Sequence, residues 1–142
     1  MPTTMTPDRA LAFLAEGTRS AVLATVRPDG RPHAVPLWYA VDGSDVLLNL
    51  SRDSVKGRNL DNTPTLALTV HDDVAPYSFV TVEGDGEIVA DPAQVRAGAE
   101  AIARRYLPAE ARDGYVGYAV SPGKVLVRVR PARLTGVDAV AG

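Results

Sequence analysis

The chain has no cysteine. That excludes a disulfide framework, a thiolate metal centre and a cysteine nucleophile. Histidine is nearly as scarce: His33 and His71 are the only two in 142 residues, too few for a histidine-rich metal site. Long apolar runs are missing as well, and no stretch approaches the roughly 18–20 residues that a membrane helix needs. The opening MPTTMTPDRALAFLAEG has no basic leader, and Asp8, Arg9 and Glu16 interrupt its apolar residues, so it does not read as a secretory signal. The expected location is the cytoplasm, with no membrane partner. An excess of positive charge is also absent. Fifteen Lys and Arg against seventeen Asp and Glu give a net charge of −2, which argues against a nucleic-acid partner.

What is present suits one folded unit. A hydrophobic fraction of 46% can build a core, and 142 residues fit a single domain spanning 1–142. Thr6-Pro7-Asp8 is a helix start: a hydroxyl cap, proline at the first helical position and an acid in the first turn. Ala10, Leu11, Phe13 and Leu14 form its apolar stripe, and Gly17 ends it.

Strands then dominate. Ser20–Val26 is rich in small and β-branched residues, and Arg27-Pro28-Asp29-Gly30 is a turn. Pro32–Val41 reads as the second half of a hairpin. Pro36 cannot donate to a ladder, so this strand is expected at an edge or bulge. Asp45–Leu50, Thr65–His71, Ser78–Ala90 (bent at Gly84 and Gly86) and Lys124–Arg130 read as further strands. In the last of these, Val125, Val127 and Val129 face one way and Leu126, Arg128 and Arg130 the other. Helices are expected over Ser54–Asp61 with Ser54 as cap, from Asp91 to about Leu107, and over Arg112–Ala119. The fold class is mainly β with peripheral helices: about six antiparallel strands, whose closure into a barrel removes exposed edges.

The basic segment from Ser51 to Asn59 is the strongest chemical lead. A helix N-terminus offers free N–H groups and partial positive charge. Ser54 caps it and has a hydroxyl to donate. Lys56 and Arg58 add cations, and Gly57 lets a bulky group come close. This recipe fits a phosphate, and the spacing fits a solvated basic helix face equally well. A second lead is Val35-Pro36-Leu37-Trp38-Tyr39, where a kinked strand and the only tryptophan can wall a planar ring. Trp38 alone is more simply core or subunit packing.

His33 is a candidate acid or base, though an exposed histidine after a turn is the simpler reading. His71 with Asp72 and Asp73 offers a weak metal site or a polar strand end. Tyr77, Phe79 and Glu83 alternate along one face of a strand. No Ser-His-Asp set, P-loop or dinucleotide G-x-G-x-x-G is visible, and Gly84-Asp85-Gly86 is not followed by a helix. Chemistry on this chain therefore points to a bound organic cofactor.

Four stretches carry a resemblance almost end to end: AVLATVRPDGRPHAVPLWY, DVLLNLSRDSVKGRNLDNTPTLAL, VTVEGDGEIV and KVLVRVRPARLTGV. In this order they resemble the pyridoxamine-phosphate-oxidase-like split β-barrel family. The resemblance implies a homodimer with cofactor sites at the subunit interface. It implies that Val35, Pro36, Leu37 and Trp38 line a flavin-type ring, and that Ser51, Ser54, Lys56, Arg58 and Asn59 surround its ribityl-phosphate arm. The vitamin B6 oxidases carry an arginine where this chain has Val55, and a longer C-terminal substrate region. The chain is more similar to the actinobacterial branch that uses coenzyme F420, an 8-hydroxy-5-deazaflavin. That branch implies a reductase passing hydride to a small electron-poor substrate. FMN is the alternative cofactor, and a non-catalytic cofactor- or tetrapyrrole-storage protein is the alternative class. Arg52, Arg58 and Arg130 are candidate partners for an acidic cofactor tail. No acid or base is assigned; His33 and Tyr39 are the candidates.

Overall fold

The computed structural model describes residues 1–141. In chain order the elements are β1 (Thr3–Thr4), α1 (Pro7–Ala15), β2 (Ala21–Val26), β3 (Pro32–Leu37), β4 (Ala40–Asp42), β5 (Asp45–Ser51), α2 (Val55–Asn62), β6 (Thr65–His71), β7 (Phe79–Val89), α3 (Pro92–Tyr106), α4 (Ala109–Ala119) and β8 (Lys124–Asp138). The strands form one antiparallel sheet in the order β3-β2-β6-β7-β8-β5-β4, with β1 added to the end of β8.

The sheet closes on itself for a simple reason. β3 and β4 stand at opposite ends of the hydrogen-bonded path, yet only Trp38 and Tyr39 separate them in sequence. Three Cα steps reach at most about 11 Å. The two edges must therefore meet, and no ladder joins them. The result is a split barrel.

Eight strands replace the expected six. The expected strand Pro32–Val41 breaks at Trp38 and Tyr39, where the chain leaves the β2 ladder and joins that of β5. Thr3–Thr4 is too short to show any period. The last strand, expected over Lys124–Arg130, runs eight residues further, through Pro131 to Asp138. Tyr77 does not share a strand face with Phe79 and Glu83; it occupies a turn at φ +63°.

Alternation places Leu66, Leu68 and Val70 of β6 inside, against Val80 and Val82 of β7 and Leu23 of β2. Val125, Val127 and Val129 of β8 face the same core. Leu126 points the other way and is buried as well, because α3 covers it with Val95 and Ile102. β5 and the first part of β8, up to Val129, are thus covered on both faces, while β2 and β6 expose one. The expected bend in β7 is a bulge between Glu83 and Gly84. A Cβ on Gly84 would lie 2.6 Å from the Arg130 carbonyl oxygen, so the ladder closes there only with glycine.

A candidate cofactor site at the start of the second helix

Ser51 ends β5 opposite Lys124 of β8, and the Arg52 N–H donates to the Gly123 carbonyl at 2.9 Å. The chain then folds back. The Ser54 N–H donates to the Ser51 carbonyl at 3.1 Å, and Ser54 Oγ donates to the same carbonyl at 2.6 Å. Ser54 Oγ also accepts from the Gly57 N–H at 3.2 Å, which caps α2 as its sequence predicts. The serine proton is therefore already used within the turn. The donors left at the helix start are the Val55 and Lys56 N–H groups.

Gly57 has a different role from the one its sequence position suggests. A Cβ there would lie 2.4 Å from the Arg52 carbonyl oxygen and 2.5 Å from that of Ser51. The space beside Gly57 is filled by the chain's own backbone, so the glycine permits the tight fold rather than a ligand's approach.

The cations divide. Arg52 forms a two-pronged pair with Asp61 at 3.0 and 2.9 Å, which holds the Asp61 carboxyl below its ordinary range. It is not free for an anion. Arg128 is taken by Asp42 and Asp45, each at 3.0 Å. Lys56 is half-buried and Arg58 exposed, and among the described residues neither has a carboxylate partner.

Two residues that sequence reasoning missed join them. Lys124 Nζ donates to the Tyr118 hydroxyl at 3.1 Å and lies 4.2 Å from its ring centroid. The Tyr118 phenol is held below its ordinary value by that hydrogen bond and by the charges of Lys124 and Lys56. The register of β8 against β5 brings Lys124 to the turn, and no local motif announces this.

The ring-lining candidates lie on β3, an edge strand, as Pro36 required. His33, Val35 and Leu37 share its half-buried face, and Ala34 and Pro36 are exposed. Trp38 stacks on Tyr106 of α3 with centroids 4.7 Å apart and planes 7° from parallel. One ring face is thus taken by the protein, and Trp38 stays 37% exposed. Asn59 links the two regions. Its Nδ2 donates to the Thr25 Oγ1 at 3.0 Å, both residues being buried, and Thr25 stands opposite His33 in the β2–β3 ladder. That amide nitrogen is used inside the protein.

Tyr39 is not placed for proton transfer. Its hydroxyl donates to the Leu14 carbonyl at 2.6 Å and receives Arg105 Nη2 at 3.0 Å, tying α1 to α3. Burial pushes its phenol up to about 12. Unfolded tyrosine ionises near pH 10, so the folded state loses stability as pH rises from about 10 to about 12. Tyr39→Phe should cost about 1 kcal/mol near neutral pH, because Arg105 still donates to Leu14. The urea midpoints of the two proteins should converge as pH rises above about 10 and cross before about 12.

His71 Nε2 pairs with Asp73 at 2.9 Å, and Arg19 holds Asp72. No cluster that could hold a metal occurs among the described residues. A cavity of about 460 Å³ on the outer barrel wall is lined by Ala24, Val26, Pro32, Ala67, Glu83 and Arg133, and includes none of the candidate cofactor residues. No helix among the described residues is long and apolar enough to cross a membrane.

Comparison with known proteins decides the family. Residues 6–138 match the description of pyridoxamine 5'-phosphate oxidase. The chain belongs to this family. Members and fold relatives share its split barrel. A conserved hypothetical protein from Mycobacterium tuberculosis is 26% identical, with a TM-score of 0.81 over 95% of this chain and 86% of that one. A protein described as an F420 reductase is 29% identical, with a TM-score of 0.65 over 86% of this chain and 93% of that one. A FAD-binding protein from Mesorhizobium loti, 18% identical, has the same fold at a TM-score of 0.74 over 96% and 97% of the two chains. No functionally curated protein matches.

Proposed function

We propose that the chain is an oxidoreductase that binds a flavin-type cofactor, coenzyme F420 in the first instance, with its phosphate at the β5–α2 turn. One observation carries this reading: Lys56 and Lys124 both lie near Tyr118 at a capped helix start, with no carboxylate partner for either among the described residues. Like charges repel, so such a grouping favours an anionic guest. The residues fit a phosphate ester. Two backbone N–H groups, two ammonium groups and the exposed Arg58 guanidinium are available donors.

The similarity to an F420 reductase and Val55, where the vitamin B6 oxidases keep a second cation, favour the deazaflavin over FMN. Bound and reduced, the deazaflavin supplies a hydride from ring carbon C5 to a small electron-poor substrate. The protein's part is to hold the phosphate, to orient the ring against Val35, Pro36, Leu37 and Trp38, and to keep water out. Asn59 acts in this reading as a positioning residue, fixing α2 to the strand beside the ring. A second copy of the chain completes each site. The outer barrel face, where Val22 and Val26 are each 38% exposed, is the surface we assign to that homodimer contact.

The test is a fluorescence titration of the purified protein with coenzyme F420 and with FMN, followed by turnover with reduced cofactor and a set of conjugated acceptors. Tighter F420 binding with turnover is expected. Tight FMN binding without F420 binding would replace the cofactor, and binding without any turnover would leave a storage protein.

A further inference from the structure

We propose that Tyr118 is a further ligand of the cofactor's phosphate, donating its phenolic hydrogen to a phosphate oxygen beside Lys124. The inference rests on the cofactor reading above and adds to that site a neutral donor from α4.

The chain's use of lysine points to this spot. Lys56 and Lys124 are its only lysines, and the other thirteen of its fifteen basic residues are arginine. They lie far apart in sequence, yet both charges act on the one phenol of Tyr118. Among the described residues arginine makes every ion pair with a carboxylate except that of His71, and the lysines make none. A lysine ammonium is a compact point charge, which leaves room for another donor on the same small anion.

Backbone contacts fix Tyr118 beside the turn. Asn49 Nδ2 of β5 donates to the Ala119 carbonyl at 2.9 Å, tying the end of α4 to the strand that runs into the turn. Ser121 Oγ and the Ser121 N–H both donate to the Tyr118 carbonyl, at 2.6 and 3.1 Å. The Lys124 N–H donates to the Ser121 carbonyl at 3.1 Å, and Lys124 stands opposite Ser51 in the β5–β8 ladder. Tyr118 itself is 64% exposed, so its hydroxyl is open to a ligand.

The chemistry follows from the direction of one hydrogen bond. Lys124 Nζ donates to the Tyr118 oxygen, which therefore acts there as an acceptor. The phenolic hydrogen has no acceptor among the described residues. Donation from an ammonium polarises the phenol and makes its O–H a stronger donor. A phosphate oxygen is the acceptor that such a donor matches. The phenol then bridges Lys124 and the phosphate.

The experiment uses the full chain and a matched pair of ligands in whichever ring series the wild type binds: riboflavin and FMN, or the ribityl deazaflavin and its 5'-phosphate. The ratio of the two affinities measures what the phosphate contributes. Tyr118→Phe keeps the ring beside Lys124 and removes only the hydroxyl. It should lower that ratio about tenfold, as the loss of a hydrogen bond to a charged group does, through weaker binding of the phosphorylated member alone. The melting temperature of the cofactor-free variant should match the wild type's, because the phenol is exposed. Lys56→Ala, measured alongside, reports on the phosphate turn by itself. If Lys56→Ala lowers the ratio and Tyr118→Phe does not, the inference is overturned and the phosphate turn stands. An equal loss for both members of the pair also overturns it, and marks Tyr118 as a support for the fold or the ring. A wild type that gains nothing from the phosphate, or that binds neither series, overturns the cofactor reading and the inference with it.

Discussion

Lys56→Ala should weaken binding of FMN or coenzyme F420 at least about tenfold while leaving the fold intact. A charge-assisted hydrogen bond contributes about 1.5–3 kcal/mol, and about 1.4 kcal/mol is a factor of ten. The stability side is small because Lys56 makes no ion pair among the described residues. Arg52→Ala is the informative contrast. It too deletes a cation from the same turn, but Asp61 already holds that guanidinium. Its effect on cofactor affinity should therefore be slight. Isothermal titration of both variants separates the two cases. Equal losses would mean that overall charge, and not the placement of Lys56, draws the anion.

Gly57→Ala should be the most disruptive single-methyl change in the chain. On propensity alone it ought to stabilise α2 by about 1 kcal/mol. The new Cβ would instead sit 2.4 and 2.5 Å from two backbone carbonyl oxygens. These belong to the turn itself and cannot swing aside as a side chain would. Overpacking of this kind costs about 1–3 kcal/mol, occasionally more, and outweighs the propensity gain. Relief requires Ser51 and Arg52 to move, which would carry the Ser54 cap and the Lys56 N–H with them. The variant should show a lower urea midpoint and lose cofactor binding. An unchanged midpoint would show that the turn is looser than its geometry states.

Much of this was legible before any coordinates. Caps at Thr6, Ser54 and Asp91 are local chemistry, and each helix began where its cap placed it. Pro36 announced an edge strand by lacking a donor, and β3 is one. The Ser54-capped helix start that carries Lys56 was recognisable too. Features that depend on partners distant in sequence were not legible. Lys124 reaches the turn through the β5–β8 register, and Arg52 is withdrawn from it by Asp61, nine residues on. Gly57 looked like room for a ligand because sequence does not show which backbone approaches it. His33 looked like a surface residue after a turn. Its Nδ1 is nonetheless covered by protein. The burial of Tyr39 follows from α1 and α3 meeting over it, through Leu14 and Arg105.

The central claim is that the β5–α2 turn holds a cofactor's phosphate. It is tested most directly by the affinity of the wild-type chain for a ring with and without that phosphate: riboflavin against FMN, and the ribityl deazaflavin against its 5'-phosphate. At least about tenfold tighter binding of the phosphorylated member is expected, with the gap narrowing in Lys56→Ala. Equal affinity for the two members of a pair, unchanged by Lys56→Ala, would contradict the assignment of this turn.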